Sequence, residues 1–187
     1  NFKITKNDNL VKNQDIVFPL GYTKILSENF LNHNKLTLIV HTSALPKNKG
    51  FAPLQYQILE NKKKFYISLI KADKEVDAGN IYLKEHFFLK GDELYEEIRY
   101  LQGRACLKII RNFLVKFPKI YNKKQVGKSN FNKRRAPNDS ELDINKSIKS
   151  QFNLLRICNN ETYPAFFNHK KNKYILKIFK ENLNKKA

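Results

Sequence analysis

The sequence of 187 residues contains no methionine and no tryptophan, and it has only two cysteines, six glycines and six prolines. Two cysteines are too few for a disulfide framework, and no spacing of cysteine and histidine is typical of a metal site. Cys106 and Cys158 both lie in helix-like patterns, which predicts buried, reduced thiols in a cytoplasmic protein. Because a gene product normally begins with methionine, we expect the gene to start upstream of Asn1.

Long apolar runs are also missing from this sequence. No run approaches the ~18 residues that a membrane-spanning helix requires, and the first residues, NFKITKND, lack the apolar centre of a signal peptide. Hydrophobic residues nevertheless make up 41% of the chain, which is enough for a folded domain with a buried core. We therefore expect a globular protein without a membrane partner.

Acidic residues are scarce relative to basic ones. The chain has 36 Lys and Arg against 17 Asp and Glu, which gives a formal net charge of +19. Such an excess favours polyanionic partners such as RNA, nucleotides or phosphosugars. A solvated basic surface is the alternative, because the lysines are spread along the whole chain.

The most informative stretch is LTLIVHTSALPKNKG, residues 36–50. Its apolar run predicts a buried strand that ends at His41, and Pro53 favours a helix beginning shortly afterwards. In open α/β sheets, ligands bind just beyond the carboxyl ends of the strands. His41 is therefore well placed for acid–base chemistry, although a hydrogen-bonded structural histidine is the alternative.

Strand-like and helix-like patterns alternate along the chain. The pattern predicts strands over residues 15–20, 36–41, 65–72 and 81–89, and helices over 25–31, 53–60, 92–117 and 143–158. Two further strands are predicted over 163–167 and 173–179. The alternation favours an α/β fold with a largely parallel sheet. Residues 122–138 are polar and basic, which predicts an exposed connection leading away from the core.

Four segments, in order, resemble the motifs of the 10-formyltetrahydrofolate-dependent formyltransferases. HTSALPKNKGFAP (41–53) resembles the family's H-x-S-x-L-P-x-x-x-G…P loop, and VDAGNI (76–81) resembles its D-x-G-x-I segment. RRAPNDSELD (134–143) and YPAFF (163–167) resemble R-R-x-P-x-D…D and Y/W-P-G-A-F. The family includes methionyl-tRNA formyltransferase and the sugar N-formyltransferases, and the loop is most similar to the bacterial sugar-modifying branch.

The resemblance implies a Rossmann-like formyltransferase core over residues 1–120. Residues 121–187 would then be a basic linker and a small C-terminal subdomain built from a helix and a β-hairpin. The implied activity is transfer of a formyl group from 10-formyltetrahydrofolate to a primary amine. His41 and Asp77 match the catalytic histidine and aspartate, although Asp77 beside Gly79 is also typical of an ordinary turn.

The resemblance also implies binding positions around this pair. The implied cofactor-binding residues are Ser43, Leu45, Pro46, Gly50, Pro53 and Gly79. The basic residues that are candidates for contact with an anionic acceptor are Lys47, Lys49, Arg134 and Arg135, for which a solvated surface is an equal alternative. The apolar residues that either line a folate pocket or simply pack in the core are Phe51, Leu54 and Ile58.

Two features depart from the family pattern. Ile39 stands where the family has an asparagine two residues before the histidine, and isoleucine cannot donate a hydrogen bond to an oxyanion. Losing such a donor typically costs about 10²–10³ in rate, so we consider Asn32 or Asn34 as a replacement. Family members also carry further strands before Asp15, so we expect either a longer chain or a homodimer that covers the sheet edge.

Three hypotheses about function follow. Only residues 168–187 come after the last motif, where methionyl-tRNA formyltransferases carry a β-barrel domain; this favours a small acceptor, above all an amino sugar, often nucleotide-linked. The net charge alone favours tRNA as the acceptor. Ile39 and the missing early strands favour a non-catalytic relative.

Overall fold

The computed structural model describes residues 3–181, and the helices and strands below refer to that range. The helices are α1 (Glu28–Asn32), α2 (Pro53–Leu59), α3 (Tyr95–Lys116) and α4 (Ile148–Arg156). The strands are β1 (Leu38–His41), β2 (Lys49–Gly50), β3 (Lys64–Lys71), β4 (Ile81–Phe88), β5 (Phe131–Asn132), β6 (Ala165–His169) and β7 (Asn172–Leu176). Most of these elements fall within the predicted segments. Residues 15–20 instead form a single bridge, from Val17 to Thr37, and the short strands β2 and β5 lie in segments that were predicted to be irregular.

The central sheet has the strand order β1-β3-β4, and both of its strand pairs run antiparallel. The expected largely parallel sheet is therefore not confirmed: the parallel pairings among residues 3–181 are β2 with β5 and two isolated bridges. Residues 72–80, which join β3 to β4, are too few for the crossover helix that parallel neighbours need. The apolar runs of β1 and β3 indicate that both faces of these strands are buried. Burial does not indicate whether neighbouring strands run parallel or antiparallel.

Helix α3 covers one face of this sheet. Its buried residues recur at helical spacing, as the sequence pattern predicted, and are Ile98, Ala105, Ile109 and Phe113. Ala105, Ile109 and Phe113 pack against the sheet, and Ile98 belongs to a second cluster that joins α2 to the start of α3 and the end of α4. Pro118 follows the helix and prevents it from continuing. One face of the sheet is thus sealed by apolar packing.

The other face of the sheet is available for a site. Leu38 and Val40 of β1 pack in the cluster beneath α3. Because side chains alternate along a strand, Ile39 and His41 point to the other face of the sheet. The loops that follow β1 and β3 lie on that side. The fold therefore presents the end of β1 to a set of loops instead of to a helix.

A C-terminal unit, residues 142–178, packs beside α3. Its apolar cluster contains Leu142, Leu155, Cys158 and Ala165. Arg156, 2% exposed, lies 3.7 Å from the carboxylate of Glu93 and donates to the Glu93 carbonyl at 3.3 Å. A buried ion pair therefore ties this unit to the segment before α3.

The predicted burial of the two thiols holds for Cys158, whereas Cys106 is only partly buried. Cys106 and Cys158 are both free, and burial raises the pKa of each thiol, which lowers the reactive thiolate fraction. Among residues 3–181, no helix combines the length and apolarity needed to traverse a lipid bilayer.

The Glu93 carboxylate is expected to make stability depend on pH. Burial raises its pKa, but the backbone N–H groups of Gly91 and Lys90 donate to it at 2.9 and 2.6 Å and outweigh burial, so the pKa lies below the ordinary 4.5. The carboxylate therefore contributes fully above about pH 4.5, and its contribution is lost as the pH falls through the lower folded-state pKa. Glu93→Gln should destabilise the protein by about 3 kcal/mol at pH 7, because it leaves Arg156 buried without its counter-charge.

Urea unfolding of both proteins between pH 7 and pH 3 measures this difference. The gap between wild type and Glu93→Gln should narrow below pH 4.5, whereas the exposed Glu75→Gln should track wild type throughout. A gap that stays constant with pH would show that the carboxylate charge is not what stabilises this junction.

Candidate active site

His41 is the last residue of β1, opposite Ser68 of β3, and it is only 7% exposed. Its Nδ1 lies 3.3 Å from Asp77 Oδ1. Its Nε2 lies 2.7 Å from the carbonyl oxygen of Asn48. The histidine and aspartate that the sequence singled out are therefore in direct contact, although 36 positions separate them along the chain.

The hydrogen-bond partners of the His41 ring fix the direction of its two nitrogens. A carbonyl oxygen can only accept a hydrogen bond, so Nε2 carries a proton in this arrangement. Nδ1 faces a carboxylate, which also accepts and which attracts positive charge. The arrangement therefore orients the ring, with Nε2 towards the Asn48 carbonyl and Nδ1 towards the Asp77 carboxylate.

Asp77 is held from both sides. Its backbone has φ of +52°, which a turn before a glycine accommodates, and its Oδ2 accepts from the Gly50 N–H at 2.8 Å. The Gln125 side-chain amide donates to the carbonyls of Asp77 and Gly79 at 2.7 and 2.9 Å. Each carboxylate oxygen thus has a defined direction before any ligand binds.

The loop after His41 is pinned by its own hydrogen bonds. Ser43 Oγ donates to the Lys47 carbonyl and Ser68 Oγ donates to the Ser43 carbonyl, both at 2.7 Å. Lys84 Nζ donates to the Leu45 carbonyl at 2.6 Å. Ser43 and Leu45 are fully buried, so in this structure they shape the loop.

The remaining sequence-predicted binding residues are spread around the site. Pro46 is buried in the loop and Pro53 begins α2. Gly50 and Gly79 contribute a backbone donor to Asp77 and an acceptor to Gln125, respectively. Contact between any of these residues and a cofactor stays a prediction.

Residues 122–132 return to the site instead of leading away from the core, so that expectation is wrong for this part of the segment. Strand β5 pairs in parallel with β2, and the Asn48 N–H donates to Asn130 Oδ1 at 2.9 Å. Asn130 Nδ2 donates in turn to Asn48 Oδ1 at 3.1 Å. Gln125 and Asn130 were missed because this polar segment has no periodicity to indicate packing.

The basic candidates separate into two groups. The Arg134 guanidinium lies over the ring of Phe51 at 4.4 Å, and Lys49 Nζ lies over the ring of Phe131 at 5.6 Å. These four residues come together because β2 and β5 are neighbours. Arg135 instead donates to the Asp139 carbonyl at 2.6 Å in a local turn, and Lys47 is exposed.

The suggested replacements for the family asparagine are not at the site. Asn34 uses its side chain on Val11, Phe30 and Gln14, with bonds of 3.1, 2.9 and 3.1 Å, and so fixes the N-terminal loop. Asn32 is exposed at the end of α1. Ile39 pairs with Ile70.

Three buried polar side-chain atoms lack a hydrogen-bond partner among the described residues. They are Asn132 Nδ2, Gln125 Oε1 and Thr37 Oγ1. Buried groups of this kind usually bind water or a ligand. Within residues 3–181, no group of three or more His, Cys, Asp or Glu side chains is arranged to hold a metal ion.

Comparison with known proteins identifies the family. The family model described as Formyl transferase matches residues 6–100. The methionyl-tRNA formyltransferase of Sulfurihydrogenibium sp. is 28% identical over 168 residues, which cover 82% of this chain and 52% of that protein. The chain thus spans about half the length of the curated relatives it matches.

Solved structures show the same fold. The methionyl-tRNA formyltransferase from Clostridium thermocellum superposes with a TM-score of 0.78 at 24% identity, covering 91% of this chain and 74% of that one. A sugar N-formyltransferase from Shewanella sp. gives 0.66 at 15%, covering 91% and 71%. HypX from Aquifex aeolicus in complex with tetrahydrofolic acid gives 0.64 at 16%, covering 83% and 27%. These structures carry the Rossmann-like formyltransferase fold, and with the match over residues 6–100 the chain belongs to the formyl transferase family.

Proposed function

We propose that this chain transfers a formyl group from 10-formyltetrahydrofolate to a primary amine. The observation that carries the proposal is the buried pair of His41 and Asp77, held at 3.3 Å at the end of β1. The pair lies at the carboxyl end of β1, where loops meet, and within the residues that match the family.

The pair supplies what amide formation requires of the protein. A formyl donor, when bound, offers an electrophilic carbon for the amine. As the new carbon–nitrogen bond forms, the attacking nitrogen must lose a proton and negative charge develops on the formyl oxygen. When the bond between the formyl carbon and the donor nitrogen breaks, the leaving nitrogen would take up that proton. The His41 ring can stabilise that negative charge when it is protonated, and Asp77 can take the proton because each carboxylate oxygen accepts more than one hydrogen bond.

The residues present fit a folate-derived donor. Asn132 Nδ2 is a buried unpaired donor, and Gln125 Oε1 is a buried unpaired acceptor whose amide also holds Asp77. A pteridine edge carries both donors and acceptors, which would satisfy such a pair. The loop 43–53, together with Gln125 and Asn132, would hold the group, and the tetrahydrofolate complex of HypX supports this choice of donor.

For the acceptor we propose an amino sugar that carries a nucleotide. Lys49 and Arg134 place two positive charges beside two aromatic rings, Phe51 and Phe131, which are 44% and 63% exposed. Cations suit phosphates and exposed rings suit a stacked base. The sugar N-formyltransferase of Shewanella sp. supports this class of acceptor.

A second candidate is tRNA, because the methionyl-tRNA formyltransferase relatives are named for that acceptor and the chain is strongly basic. Binding to tRNA would weaken steeply with added salt. The third, a non-catalytic relative, rests on Ile39, which leaves no side-chain donor at that position.

Formyl transfer by the full chain tests these alternatives. We expect 10-formyltetrahydrofolate and one member of a panel of nucleotide-linked amino sugars to give a product heavier by one formyl group, read by mass spectrometry. Lys49→Ala should raise KM for that sugar about tenfold, since a hydrogen bond to a charged group is worth about 1.5 kcal/mol, and the exposed Lys171→Ala should leave KM unchanged. Product on methionyl-tRNA alone would overturn the sugar acceptor, and no product on any acceptor would overturn the enzymatic function.

A further inference from the structure

We propose that Asn130 is a positioning residue for the reaction, acting on His41 through the peptide of Asn48. The proposal rests on the proposed function, since it concerns the histidine assigned to that chemistry. Its starting point is that the Nε2 proton of His41 goes to the Asn48 carbonyl, 2.7 Å away. The direction of this carbonyl therefore sets the direction of the ring.

Asn48 needs outside support to hold that direction. Its φ is +56°, in the left-handed region that asparagine tolerates better than most residues but that is not its lowest-energy conformation. It lies in a loop between β1 and β2, not in a long strand or a helix. The pairing of β2 with β5 begins at the Lys49 N–H, so it leaves the Asn48 N–H and side chain to be held by other contacts.

The carboxamide of Asn130 provides this support with two opposed hydrogen bonds. Its Oδ1 accepts from the Asn48 backbone at 2.9 Å, and its Nδ2 donates to Asn48 Oδ1 at 3.1 Å. The Asn130 carbonyl also accepts from the Lys49 N–H at 3.0 Å. Asn48 is thereby fixed through both its main chain and its side chain.

The contacts of Asn130 affect the orientation of the His41 ring. With Asn48 held, Nε2 and Nδ1 each have one defined acceptor, and a ring flip would break both contacts. Reactions of this kind are sensitive to placement, since a shift of about 1 Å can cost roughly 10²-fold in rate. Asn130 itself is exposed, so shortening it opens no cavity in the core.

Steady-state kinetics of three variants test the proposal. Asn130→Ala should lower kcat by 10- to 100-fold and leave KM within about threefold, because it removes both bonds to Asn48 but no contact to substrate. Asn130→Asp should recover most of the loss, since its carboxylate accepts from the Asn48 N–H and the Asn48 amide can rotate to donate to it. Asn168→Ala, on the exposed end of β6, should match wild type.

A second measurement does not depend on activity. In nitrogen-15 NMR, Asn130→Ala should shift the His41 Nε2 resonance relative to wild type, while thermal unfolding stays within a few degrees of wild type. An unchanged Nε2 resonance together with unchanged kcat would overturn the proposal. Should wild type transfer no formyl group, the proposed function fails, while the NMR comparison still decides whether Asn130 orients the ring.

Discussion

Replacing His41 with alanine is expected to lower kcat/KM for formyl transfer by about 10³-fold, within the range that positioned acid–base groups supply. The variant removes the ring that faces the Asp77 carboxylate and leaves the Asn48 carbonyl without its donor. Mass spectrometry of the formylated product under single-turnover conditions measures the loss. Far-ultraviolet circular dichroism before the assay shows whether the variant is folded.

Two matched variants separate this effect from a general disturbance. His169→Ala changes an exposed histidine at the end of β6 and should leave the rate unchanged. Asp77→Asn keeps an oxygen for the Gly50 N–H but loses the charge that pairs with His41, so we expect about a 10²-fold loss. A folded His41→Ala with the wild-type rate would rule out a catalytic role for the pair.

Replacing Gly79 with alanine is expected to have the largest effect on folding. A Cβ at this position would lie 1.7 Å from the backbone oxygen of Lys71, a contact that no side-chain movement can relieve. The approach is this close because the loop turns back onto β3, where the Lys71 N–H donates to the Asn80 carbonyl at 2.9 Å. We expect a loss of about 3 kcal/mol or more in the free energy of unfolding, or on the order of 10 °C in Tm.

The same substitution at Gly103 is expected to increase the free energy of unfolding. It lies on the exposed side of α3, and a Cβ there would meet nothing within 4 Å. Alanine should therefore stabilise the protein by about 0.5–1 kcal/mol through helix propensity alone. Differential scanning calorimetry of both variants compares them directly, and a Gly79→Ala protein as stable as wild type would mean that the loop is free to move away from β3.

The sequence was a good guide to periodic and motif-bearing segments and a poor one to the rest. The apolar stripe of α3 was predictable because its buried residues recur at helical spacing. The start of α2 was predictable because Pro53 favours the first turn of a helix. The proximity of His41 and Asp77 came from the resemblance, because nothing in two separate loops specifies that they meet. Strand direction was predicted wrongly, since an apolar run records how deeply a strand is buried and not which neighbour it pairs with.

The polar residues that complete the site were beyond sequence reasoning for a related reason. Gln125 and Asn130 lie in a stretch of lysine, asparagine and serine with no apolar period, where a buried contact and a solvated surface have the same composition. Their roles depend on hydrogen bonds to loops formed far away in the chain. Such bonds leave no trace in local spacing.

The bond between Asn48 and Asn130 joins positions 82 residues apart, and this separation affects when the site can form. Closing so long a loop costs conformational entropy that only the packed sheet and α3 can offset, so the contact should come late in folding. By the same reasoning, the contact between Asn48 and Asn130 should be among the first to break when the protein is heated or treated with denaturant. His41 would then be correctly oriented only in the fully folded protein. On heating, catalytic activity would be lost before the helices and strands unfold.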